Sequence, residues 1–225
     1  LFGMTPYLYD AFCLIYDKYC TNENILYEDS NGFNILFLYI SSNYVELVMK
    51  IFTSDLLTNS IFEKKTKNNL SLMDISCIAD EKILELVLDN KFCKSEYLTN
   101  YNIYSDPILN SSHVSEENFK VMLNSEFNLQ NYFIKKKEPF TISLLGSTDD
   151  CFKIFMESKY FNKELFFEKD MYGHNTLIHL LLNGNIEILD IFLELDYFDE
   201  LLNKSYDIDN EPILSFICKD NDILD

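Results

Sequence analysis

Two stretches of this chain, 141 residues apart, carry the same residue classes in the same register without a gap. They read DSNGFNILFLYISSNYVELVMKIF (29–52) and DMYGHNTLIHLLLNGNIEILDIFL (170–193). Asp29, Gly32 and Leu36 match Asp170, Gly173 and Leu177, and Leu47, Val48, Ile51 and Phe52 match Ile188, Leu189, Phe192 and Leu193. In the second stretch Asp170 and Gly173 predict a tight turn, and Asn175, Thr176 and Leu177 start a short helix. Gly184 breaks that helix, and Ile186 to Leu193 form another whose apolar residues fall at i, i+1, i+4 and i+5, one face of a 3.6-residue period. A pair of helices this short cannot cover its own apolar face. Repetition therefore predicts neighbours stacked on a shared core.

Asp170, Gly173, Leu177, Gly184, Glu187 and Leu193 fall on the pattern D-x-x-G-x-T-P-L-H-x-A-x-x-x-G-x-x-E-x-V-x-x-L-L, with His179 one place after its histidine. On these residues the segment resembles an ankyrin repeat, with Asn175-Thr176 in place of Thr-Pro. Weaker copies follow the same register. In 65–88, Asn68 stands where Gly32 stood, and Ile83, Leu84, Val87 and Leu88 fill the inner face of the second helix. Further copies run through 105–123 and 137–156, the latter supplying Phe152, Phe155 and Met156, and 207–225 starts one more. Gly3-Met4-Thr5-Pro6 opens the chain on the intact G-x-T-P turn, with proline in the first helical turn. The glycine-equivalent positions 3, 32, 68, 105, 137, 173 and 210 are spaced by 29, 36, 37, 32, 36 and 37 residues. The resemblance implies an all-α ankyrin-repeat solenoid of stacked helix-turn-helix units with short finger turns. It implies a single array over 1–225, with repeats starting near 1, 29, 65, 102, 134, 170 and 207, the last one partial. Neither end reads as a capping repeat and the chain lacks an initiator methionine, so it is expected to be a piece of a longer protein.

The chain is 48% apolar, with 19 Phe and 15 Tyr in 225 residues, enough to bury a core. Only 5 Gly and 4 Pro argue against loop-rich sandwiches and doubly wound folds. Eighteen basic against 37 acidic residues leave a formal charge of −19. Such a surface repels phosphate backbones and anionic lipid, so neither nucleic acid nor membrane is an expected partner. No run reaches the length of a membrane span and no basic segment precedes an apolar one at the start, which predicts a cytoplasmic location, in a host cell if the chain is a pathogen's. The cysteines at 13, 20, 77, 93, 151 and 218 show no C-x-x-C spacing and sit among apolar residues, as buried free thiols do.

No catalytic constellation, cofactor or metal site is expected. G-x-S-x-G, Walker and H-E-x-x-H motifs are all missing from the sequence. DIDNE (207–211) begins like a calcium loop, but Pro212 and Cys218 occupy the places that need glycine and a bidentate acid. Asp149-Asp150 and Glu116-Glu117 fall where second helices begin, and acids there favour the helix dipole. His113 lies in a polar junction. The resemblance implies that His179 ties the turns of adjacent repeats together, while His174 lies at an exposed turn. The two histidines are five residues apart with Asp170 the only acid close in sequence, which does not predict a metal site.

The residues that the scaffold leaves free are more informative. In the ankyrin pattern the second, third and fifth turn positions project as finger tips, and the end of the first helix lines the concave face beside them. Here Phe33, Ile103, Tyr104, Met171, Tyr172 and Ile208 put large apolar groups at those tips, together with His174, and Leu182 ends a first helix. Such a row fits a protein-binding surface; it equally fits tips packed on neighbouring fingers in an aromatic-rich chain. The expected function is a non-enzymatic protein-interaction module. Its acidity favours a partner with an apolar centre and a basic rim, such as ubiquitin, either directly or as the substrate-recruiting arm of a larger ubiquitin-pathway enzyme or host-directed effector. The alternative from another class is a purely structural spacer.

Overall fold

The computed structural model describes residues 24–99, 114–127, 140–145 and 148–206, with positions 14, 16, 18, 21, 212 and 213. The fold is built from the D-x-x-G-x-N turn. At residues 29–34 one Asp29 carboxylate oxygen accepts from the N–H groups of Asn31 at 2.8 Å and Phe33 at 2.9 Å. The Asp29 N–H donates to the Phe33 carbonyl at 2.9 Å, and Gly32 takes the left-handed conformation at φ 85°. Asn34 is extended, buried, and caps the next helix by accepting from the Phe37 N–H at 3.0 Å. Residues 170–175 repeat the arrangement. Asp170 Oδ1 accepts from Tyr172 and His174, both at 2.8 Å, Gly173 sits at φ 82°, and Asn175 accepts from Ile178 at 3.1 Å.

A third turn departs from the expected register. The left-handed residue is Asn69, at φ 64°, and not Asn68. Thr66 does the work of Asp29: its hydroxyl accepts from the Leu70 N–H at 3.0 Å, and its N–H donates to the Leu70 carbonyl at 2.9 Å. The turn thus begins one residue later than its glycine position implied. Ser71 then opens the helix with a capping box closed by Asp74.

The chain divides into two compact units, Leu1–Phe127 and Asn128–Asp225. In the first, α1 (Ile35–Ser41) and α2 (Val45–Phe52) form one helix pair. A short α3 (Asn59–Glu63) leads to the second pair, α4 (Leu72–Ser76) and α5 (Glu81–Leu88). Another short helix, α6 (Ser95–Thr99), and α7 (Glu116–Asn124) follow. First helices pack on first helices (α1 on α4), second on second (α2 on α5, α5 on α7), and each first helix packs on its own second. Leu47, Val48 and Ile51 of α2 and Ile83, Leu84, Val87 and Leu88 of α5 are buried, as their spacing predicts, while Phe52 in the last turn of α2 is half-buried. Asn118 of α7, also buried, donates to the carbonyls of Cys77 and Ala79 at 2.9 and 2.8 Å, satisfying the end of α4.

In the second unit, α8 (Phe140–Leu144) and α9 (Asp149–Met156) make one pair. The 3-10 helix Lys163–Phe166 leads to α10 (Thr176–Asn183), α11 (Ile186–Leu193) and α12 (Phe198–Lys204). Here α8 packs on α10 and α9 on α11. Asp149 and Asp150 fall in the first turn of α9, and Glu116 and Glu117 in that of α7, as expected of dipole-complementing acids. The expected faces are less complete in this unit. Phe152, Phe155, Ile188 and Phe192 are buried, Met156 and Leu189 are half-buried, and Leu193 in the last turn of α11 is exposed.

One recurring element has no counterpart in the sequence expectations. After α2, α5, α9 and α11, and before the 29–34 turn, lies a short helix whose apolar residue joins the core. Ile25, Ile61, Leu98, Leu165 and Leu201 are all buried, one period apart within each unit. The described residues are therefore all-α apart from isolated antiparallel bridges at Glu28–Asn34, Lys65–Ser71 and Tyr206–Pro212. No helix among them is long and apolar enough to cross a membrane. Cys77, Cys93 and Cys151 are buried free thiols, and burial pushes the Cys93 thiol up to about 12. Cys13, Cys20 and Cys218 lie outside the described residues.

The turn carries its own acid sensitivity. The Phe33 and Asn31 N–H groups hold the Asp29 carboxyl below its ordinary value of 3.8. A depressed carboxyl stabilises the fold above its unfolded value, and that contribution is lost as pH falls through the lower folded value. The Asn31 and Phe33 amide signals are expected to titrate with a midpoint below 3.8, and Asp29→Asn to remove that titration. A midpoint at the ordinary value would mean that the bonds to Asp29 do not form in solution.

Candidate functional site at the 170–174 turn

Two tightly bonded stretches of backbone bring this site together. The Asp170 N–H donates to the His174 carbonyl at 2.9 Å and the Gly173 N–H to the Asp170 carbonyl at 3.1 Å, which fixes the turn. Asn175, capping α10, fixes the helix that follows. Its amide also donates to the Ser205 hydroxyl at 2.7 Å, and the Thr176 hydroxyl lies 2.6 Å from that of Thr141. The turn thus rests on buried, paired polar groups.

Of the expected tip residues, Met171 is 80% exposed and Tyr172 56%. His174 is half-buried, not fully exposed as the turn position implied, with its ring centroid 6.4 Å from Tyr172 and 5.6 Å from His179. Phe33, which occupies the same turn position as His174, is half-buried too, edge-on to Phe37 at 6.2 Å. The second and third turn positions face solvent in both copies, Ser30 and Asn31 in one, Met171 and Tyr172 in the other. The fifth position is tucked against its own helix. Leu182, on α10, is 47% exposed. Ile103, Tyr104 and Ile208 lie outside the described residues, as does His113. Exposed Tyr27, Ile78 and Ile186 were not singled out from sequence. Ile186 lies off the Ile188–Phe192 face, as a helical wheel over the expected 186–193 helix already shows.

His179, which the resemblance directs toward adjacent turns that lie outside the described residues, meets its own turn. Its Nε2 lies 2.8 Å from Asp170 Oδ2, tying the turn to its own helix. Burial pushes the Asp170 carboxyl up, but the bonds from His179, the His174 N–H and the Tyr172 N–H outweigh it and hold the group below its ordinary value. The carboxylate is nearly buried, at 7% side-chain exposure. The same fold-back brings His174 in. Ligand-type atoms of Asp170, His174 and His179 all lie within 4.8 Å of one another. Two histidines five apart did not predict this cluster, because the turn, and not the helix period, sets the distance between Asp170 and His174.

An open groove of about 480 Å³ also lies in the first unit between α5 and α7. Glu81, Glu85, Asp89 and Glu117 line it against a single Lys120. It is acidic and wide. No model of a known protein family matches the chain, and no curated protein matches its sequence.

Proposed function

We propose that the chain is an ankyrin-type repeat array acting as an intracellular, non-enzymatic protein-binding module, with the 170–174 finger as a principal contact. The observation that carries this reading is the exposure of Met171 and Tyr172 on a turn whose backbone is already fixed. Large apolar groups on a preordered loop gain contact area with little loss of conformational freedom on binding. Met and Tyr are also enriched at interface cores. Side-by-side packing of equivalent helices within each unit, together with three turns of one design, supports the repeat reading.

The partner of this reading is a protein with an apolar patch ringed by basic residues, which the charge of −19 would steer and orient. Ubiquitin is the probe of that chemistry. Titrating the chain into labelled ubiquitin is expected to shift signals of the apolar patch. Met171→Ala with Tyr172→Ala should weaken binding by roughly 30-fold, the loss of about one hot spot. Shifts that are equal with the folded double variant would move the surface elsewhere. Absence of shifts at millimolar concentration would remove ubiquitin as the partner.

A further inference from the structure

We propose that Asp170, His174 and His179 form a binding site for one divalent transition-metal ion of the zinc class. The inference stands apart from the partner surface above, since it rests on the ligand set alone. Two imidazoles and a carboxylate present nitrogen and oxygen atoms within 4.8 Å of one another, on residues separated by one turn and the start of one helix.

Their backbone is already in place. Asp170 and His174 are locked together by the bond from the Asp170 N–H to the His174 carbonyl, and His179 rides on α10, its N–H donating to the Asn175 carbonyl at 3.2 Å. Only side-chain torsions remain to be set. A tetrahedral ion with bonds of about 2.0–2.2 Å holds neighbouring ligand atoms about 3.3–3.5 Å apart. His174, half-buried at the rim, moves in from within 4.8 Å of the other two, and the 2.8 Å pair of His179 and Asp170 opens slightly. The ion replaces the hydrogen between His179 Nε2 and Asp170 Oδ2. Meanwhile Asp170 Oδ1 keeps the N–H groups of Tyr172 and His174, which orient the carboxylate for one-oxygen ligation.

The donor types select the ion. Imidazole pairs suit Zn²⁺, Cu²⁺, Ni²⁺ and Co²⁺, whereas Mg²⁺ and Ca²⁺ require six or more oxygen atoms that this turn does not offer. Three protein ligands leave a fourth position on the solvent side for water. Met171 and Tyr172 sit between two of the ligands, so an ion here would stiffen the tip that carries them.

The test is a calorimetric titration of ZnCl₂ into the full chain in chelator-free buffer, repeated with CoCl₂ and visible absorption. Saturable binding of one ion per chain is expected, unaffected by excess Mg²⁺. Bound Co²⁺ should show the d–d bands of a four-coordinate nitrogen/oxygen site without thiolate charge transfer. His174→Ala should weaken binding by about 100-fold or more, beyond the 10–100-fold typical for loss of an orienting partner. The His174 side chain holds no element together, and unchanged circular dichroism would verify that the variant folds. Asp170→Asn, which keeps the oxygen that closes the turn, should weaken binding comparably. Absence of saturable binding, thiolate bands with Co²⁺, or wild-type affinity in the folded His174→Ala variant would each overturn the site.

Discussion

Replacing Phe166 by alanine is expected to lower the unfolding free energy by about 3–5 kcal/mol. Phe166 is fully buried in the 3-10 helix between α9 and the next turn. Its ring lies parallel to Phe152 at 5.9 Å, and 4.7 Å from Phe192, 5.2 Å from Phe161 and 6.3 Å from Tyr197. Those four rings belong to α9, to α11, and to the segments before the 3-10 helix and before α12. Each is anchored separately, so they cannot collapse into the space that alanine would leave. A domain is stable by only about 5–15 kcal/mol, so this loss approaches the whole margin. Phe166→Leu keeps most of the volume and should cost less. With 0 Trp in the chain, urea unfolding is best followed by far-UV circular dichroism. An unchanged midpoint for Phe166→Ala would mean that the ring cluster is not a packed core.

The residues that declared the fold in the sequence were those whose chemistry few others can supply. Asp29 and Asp170 each hold two amides with one oxygen, Gly32 and Gly173 carry positive φ, and Asn34 and Asn175 cap helices, so their register could be read directly. Thr66 broke that legibility because a hydroxyl does the same work one residue later, and either of two adjacent asparagines could take the left-handed place. The short helices were invisible for another reason. Five residues hold little more than one turn, too little for a period to show, and only the buried pair Ile61-Phe62 or Leu165-Phe166 marks them. At the candidate site the tip residues Met171 and Tyr172 were legible from turn position alone. The pairing of His179 with Asp170 was not, because the resemblance directed that ring toward an adjacent turn. Phe33 was read as a tip, yet Phe37, one helical turn on, takes its edge.

Gly32→Ala is expected to cost about 2–4 kcal/mol, far more than the same change at Gly184. Both glycines are left-handed, at φ 85° and 67°. At Gly184 an added Cβ meets nothing within 4 Å, so only the conformational penalty of about 1 kcal/mol applies. At Gly32 the Cβ would lie 3.0 Å from the Lys67 nitrogen and 3.2 Å from the Thr66 Cα. Both are backbone atoms of the next turn, and neither can rotate away. Lys67 N–H also donates to the Asn31 carbonyl at 3.0 Å, the bond that joins the two turns. Pushing the turns apart to admit the methyl group would stretch that bond and disturb the Thr66 turn behind it. The chain itself provides the control. Asn43 occupies the place in the 29–52 stretch that Gly184 holds in 170–193, at φ 56°, so Gly184→Asn should be close to neutral. Denaturant midpoints should therefore fall in the order Gly184→Asn, Gly184→Ala, Gly32→Ala, with the widest interval before the last. Equal losses for the two alanine variants would mean that the close approach of neighbouring turns contributes nothing, and with it would go the physical reason for a glycine at position 32.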